Sequence, residues 1–129
     1  TPRRGTLLLV RRSSARAAAA LGWVPAHEPL SIDTAHNLAT AYRRLGRYDD
    51  AMRTLGAVLA YKPMHVPTIN RIAETAWEAA ERPQADAASL LREAIARCNQ
   101  SLEIDPAQPD VAELKSTAEK KLAALAPPG

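Results

Sequence analysis

Asn37-Leu-Ala-Thr-Ala-Tyr42-Arg-Arg-Leu-Gly46-Arg-Tyr48-Asp-Asp-Ala51, continued by Leu55, Val58-Leu59 and Tyr61-Lys-Pro63, is the stretch whose reading decides the fold. Ala35, Leu38, Ala39, Tyr42 and Leu45 recur at steps of three and four, which predicts an amphipathic helix over 33–45. Ser31 or Asp33 can cap its start. Arg43 and Arg44 fall in its last turn, where the helix dipole favours cations, and Gly46 ends it. Tyr48, Ala51, Met52, Leu55, Val58 and Leu59 form a second stripe over 48–61, with Asp49 and Asp50 at the end that favours anions and Pro63 as a stop. A link of about two residues forces the two helices antiparallel.

Each residue of this pattern has a physical task. Ala39 and Ala51 are small where the helices approach most closely, and Tyr42 and Tyr48 fill the gap beside them. Gly46 supplies the tight turn. Together with Leu38, Leu59 and Pro63, these residues resemble a tetratricopeptide repeat, and the span 32–65 has the length of one. A weaker copy occupies 66–108: Ile72 and Ala73 stand where Leu38 and Ala39 stood, Ala94 matches Ala51, Leu102 matches Leu59 and Pro106 matches Pro63. This copy is about nine residues longer, within 78–89, and lacks the Gly–Tyr turn. Its helices are expected over 67–81 and 87–104, with Asp86 as a cap and Leu90, Leu91, Ala94, Ile95, Cys98, Leu102 and Ile104 inward.

The ends fit the same scheme. Residues 6–25 read as the second helix of a preceding unit, closed by Pro25. Residues 109–125 read as a capping helix with Val111, Leu114, Ala118, Leu122 and Leu125 inward and Glu113, Lys115, Glu119, Lys120 and Lys121 outward. The expected fold class is therefore all-α: one domain over 1–129, an α-solenoid of about three antiparallel helical hairpins. The resemblance implies a right-handed superhelix whose concave face, lined by the first helix of each unit, holds a peptide or protein.

Composition agrees. The 129 residues suit one core, and 47% are hydrophobic, which argues against disorder. There are 27 Ala and 15 Leu but no Phe, the composition of a helical protein with a small-aliphatic core. No apolar run reaches membrane-spanning length. The single cysteine, Cys98, excludes an internal disulfide and reads as a buried structural thiol on a helix stripe. His27, His36 and His65 have no metal-ligand spacing, and the glycines form no phosphate-binding loop. No catalytic set is visible, so the expectation is a non-enzyme without cofactor or metal.

The expected binding residues lie on the outward faces of the first helices: His36, Asn37, Thr40, Arg43 and Arg44 in one, Asn70, Arg71 and Trp77 in the next. Some members of the family grip a peptide carboxylate with Asn, Lys and Arg. Asn37 and Arg71 match such positions, but Pro67 replaces the lysine, so a looser groove built on Asn37, Arg44 and Arg71 is expected. Trp77 reads either as an exposed anchor or as packing between hairpins. The net charge of +3 is uneven: residues 1–27 hold five Arg and no acid, and the remainder holds 12 basic and 14 acidic residues. Arg3, Arg4, Arg11, Arg12 and Arg16 can be a wet helix face, a docking segment for an acidic partner, an anionic-surface contact or an organelle-targeting leader. Without interleaved aromatics they are a weak footprint for nucleic acid. The first function expected is a protein-binding scaffold. The alternatives are an accessory subunit or domain of a larger enzyme or membrane complex, and binding of an anionic surface or nucleic acid through the Arg-rich segment. The cytoplasm is the expected compartment, with an organelle matrix as the alternative. Thr1 in place of Met reads as a fragment or a processed chain.

Overall fold

The computed structural model describes residues 30–125. The helix expected over 6–25, the basic segment with Arg3, Arg4, Arg11, Arg12 and Arg16, and the Pro-Pro-Gly tail lie outside them. Among the described residues the fold is all-α, with five helices and no strand: α1 Ile32–Arg44, α2 Tyr48–Tyr61, α3 Val66–Ala80, α4 Ala87–Ile104 and α5 Pro109–Leu125. The described residues fall into two compact units that part between Val58 and Leu59.

The first unit contains α1 and most of α2. Ser31 caps α1, its hydroxyl accepting from the Thr34 amide at 3.1 Å. The helix ends in a Schellman arrangement: the Gly46 amide donates to the Arg43 carbonyl (2.9 Å) and the Arg47 amide to the Tyr42 carbonyl (2.8 Å). Gly46 holds φ +76°, which glycine adopts without strain. Arg47 then lies over the Tyr42 ring, 4.8 Å from its centroid, and its Nε donates to Asp50 at 2.7 Å. The turn is thus tied to the start of α2. Ala35, Leu38, Ala39 and Tyr42 of α1 are buried, as are Ala51, Thr54, Leu55 and Val58 of α2.

The second unit pairs α3 with α4 and lays α5 against α4 and α3. Two clusters hold it together. Ala73, Cys98 and Val111 gather Leu102 and Leu114; Ala80, Leu91 and Ala118 gather Trp77, Leu90, Ile95 and Leu122. Asp86 caps α4 through the Ser89 amide, as its position implied. His65 precedes α3 without a side-chain cap to the backbone, and its Nδ1 meets the buried Thr68 hydroxyl at 2.7 Å.

Several side chains stand differently from expectation. Leu45 is 46% exposed, because α1 ends at Arg44 and the stripe ends with it. Leu125 is 48% exposed at the last residue of α5. Lys121, expected to point outward, is half-buried with its Nζ 5.3 Å from the Trp77 ring centroid. Thr54 and Thr75 are buried although polar, since each hydroxyl donates to a carbonyl four residues back, Asp50 and Arg71 respectively. The nine extra residues of the second hairpin are all at its tip. Relative to the first hairpin, α3 continues two residues further past Ala73, the link over 81–86 is three residues longer, and α4 starts four residues earlier before Ala94.

Candidate functional site

On α1 the buried stripe fixes what the opposite face presents. Asn37, Thr40 and Arg44 follow one another at steps of three and four, so they share one side of the helix. Asn37 and Arg44 are exposed, and neither side chain makes a hydrogen bond or ion pair among the described residues. The step of seven residues from one to the other corresponds to a rise of about 10 Å. Thr40 is half-buried and donates its hydroxyl to the His36 carbonyl at 2.9 Å, so it adds only an acceptor to that face. His36 and Arg43 are half-buried, and neither is without a partner.

The second unit treats its candidates differently. Arg71 is half-buried and makes no side-chain ion pair among the described residues. Asn70, expected in a binding groove, is turned to internal use. Its amide donates to Gln108 at 2.9 Å and its oxygen accepts from the buried Ser101 hydroxyl. Gln108 in turn donates to the Asp105 carbonyl (2.8 Å) and the Ser101 hydroxyl (2.9 Å). This network joins α3, the end of α4 and the start of α5, and pairs residues too far apart in sequence for any local pattern to reveal. Trp77 takes the packing role, half-buried against the Ala80–Leu91–Ala118 cluster under Lys121.

Beside Asn70 and Gln108 lies a cleft of about 470 Å³ floored by Ala73 and Val111 and edged by Glu74 and Asp110. Cys98 is fully buried, and burial pushes its thiol up to about 11; Lys115 opposes that rise, while Glu119 and Glu74 add to it. A thiol held protonated in this way is a core group and not a nucleophile. Among the described residues no three His, Cys, Asp or Glu side chains come together to hold a metal ion. No described helix is long and apolar enough to cross a membrane.

With this geometry in place, the comparisons with known proteins identify the class. A family model for the tetratricopeptide repeat matches residues 31–61, which covers α1, the Gly46 turn and α2. No curated protein matches the chain. Residues 31–61 thus form a repeat of the tetratricopeptide type. Repeats of this type are protein–protein interaction modules, and their family is typically a scaffold and not a catalyst.

Proposed function

We propose that the chain binds an extended segment of a protein partner on the polar face of α1, the first helix of its first hairpin, with preference for a carboxylate-bearing segment. The repeats run over 32–65 and 66–108, followed by the helix over 109–125. The observation that carries this reading is the α1 face, where Asn37 and Arg44 stand exposed and unengaged opposite a fully packed stripe. An amide and a guanidinium about 10 Å apart match about three residues of extended peptide, at roughly 3.3 Å per residue. Asn37 can pair with a peptide group, and Arg44 can take a carboxylate in a bidentate contact. Arg71, on α3, belongs to the second unit and is a separate guanidinium there. Asn70, Thr40 and Trp77 serve structure first, and His36 and Arg43 border the α1 face.

The test is binding of fluorescent extended peptides, acidic or neutral, with free or amidated C-termini, to the full chain. Acidic and free-carboxylate peptides should bind tighter. Arg44→Glu should remove about tenfold of that preference, on the order of 1.4 kcal/mol, and Asn37→Ala should weaken binding of all the peptides by about the same factor. Both side chains are exposed, so neither change reaches the core; Arg44→Glu should cost only about 0.3–1 kcal/mol for the cation lost from the last turn of α1. Equal binding of all peptides, or binding indifferent to both substitutions, would overturn the reading. Affinity purification followed by mass spectrometry then identifies the natural partner.

A further inference from the structure

The second unit carries a partly apolar seam between α4 and α5. Along the seam of α4 and α5 runs a groove of about 620 Å³, walled by Ala88, Arg92 and Ile95 on one side and Glu119, Leu122 and Leu125 on the other. Here α5 buries only Val111 and Ala118 fully, and it leaves Leu122 half-buried and Leu125 exposed in the groove.

The charges on the two walls are opposite. Arg92 and Glu119 are exposed, line the same groove, and make no ion pair among the described residues. They also stand close in height. Leu91 and Ala118 pack in one cluster, and Arg92 and Glu119, one residue beyond each on antiparallel helices, are offset by only about 3 Å more, within the reach of their long side chains. The four-residue link over 105–108 makes α4 and α5 antiparallel neighbours.

We propose that this groove is the contact through which two copies of the chain associate. A two-fold axis parallel to the helices, in front of the groove, keeps each residue's height and exchanges the two walls. It sets α4 of one copy against α5 of the other. Arg92 then faces Glu119 of the second copy, the same pair recurs on the other side, and the Ile95 and Leu122 strips meet between them. Both unpaired charges are satisfied by one operation, which no single-signed partner achieves. The helices, 18 and 17 residues long, offer a face about 26 Å long and two helices wide. That area is at the low end for specific association, so the dimer is weak, in the micromolar range.

Sedimentation velocity of the full chain from about 5 to about 500 µM tests the proposal over the range expected for such an interface. The mass should rise with concentration from 13.9 kDa toward twice that value. Arg92→Glu and Glu119→Arg should each weaken association at least tenfold, since each sets like charges face to face. The double variant, Arg92→Glu with Glu119→Arg, should return it to within about threefold of the parent, an effect of under about 0.7 kcal/mol. Both side chains are exposed, so neither change disturbs the core. A chain that stays monomeric throughout, because a different protein or its own 6–21 segment covers the groove, overturns the proposal. So does a dimer indifferent to the single changes, or a double variant that fails to recover.

Discussion

The same substitution at two glycines should change stability in opposite directions. Gly46 holds φ +76°, and a Cβ built there meets nothing within 4 Å. Gly46→Ala therefore adds no clash, only the strain of an L residue in the left-handed region, about 1–2 kcal/mol. The stiffer unfolded chain offsets about 0.4–1 kcal/mol of this. The net expectation is a loss of about 1 kcal/mol, and Gly46→Asn should lose less because asparagine tolerates that conformation. Gly56 lies inside α2, and its Cβ would also meet open space. There alanine gains about 0.8–1 kcal/mol of helix propensity without strain. Urea unfolding followed by helical circular dichroism measures both variants. Their midpoints should fall on opposite sides of the parent, and their melting temperatures should lie roughly 6–10 °C apart. If both variants shift in the same direction, the backbone argument for the α1–α2 turn is wrong.

Three further outcomes are expected. Asn70→Ala strands the buried Ser101 hydroxyl and a Gln108 acceptor, so the second unit should lose about 1–3 kcal/mol in urea unfolding; a change below 0.5 kcal/mol would mean the network is incidental. Arg47→Ala removes the contact over Tyr42 and the bond to Asp50, both partly exposed, for a loss of about 0.5–1.5 kcal/mol that Arg47→Lys only partly restores. Cys98 gives a pH signature. Below its ordinary value of 9.0 the thiol is protonated in both folded and unfolded chains; between 9.0 and about 11 the unfolded chain loses the proton and the folded chain keeps it. Stability should thus fall with rising pH across that window, more steeply in the parent than in Cys98→Ala, and equal slopes would exclude a buried neutral thiol.

The first hairpin was legible because independent local signals agreed. Ser31, Gly46, the Asp49–Asp50 pair and the alternation of small and large apolar residues each pointed to the same boundaries, and α1 and α2 fall within one residue of them. The second hairpin was legible at its base, through Ala73, Ala94, Leu102 and Pro106, and not at its tip, where no glycine marks the turn. Burial failed where periodicity is the wrong guide. Leu45 and Leu125 belong to their stripes by spacing but sit where the helices stop, and Thr54 and Thr75 are buried because backbone carbonyls satisfy their hydroxyls. The candidate site was half legible. Polar residues on an outward face can be named from spacing, which placed Asn37 and Arg44 correctly in the open. Spacing cannot show that Asn70 is consumed by Ser101 and Gln108, residues 31 and 38 positions away.

The lengthened tip and the α4–α5 groove have one physical origin. The four residues added at the start of α4, 87–90, amount to about one helical turn and leave the Ala73–Ala94 region in place. A hairpin can grow this way at little cost, because its free end carries no closing contact. The added turn is not left bare: Ala87 and Leu90 pack around the Ala80–Leu91–Ala118 cluster, and Ala88 lines the groove. That extra length gives the last turns of α5 a surface to lie on, so Leu122 can pack and α5 can run its 17 residues beside the 18 of α4. Shortening α4 by residues 87–90 should therefore release the end of α5 and abolish self-association, while leaving the Asn37–Arg44 face, on the other unit, with its peptide preference intact. Loss of both properties together would show that the two surfaces are not separable, contrary to their placement on different units.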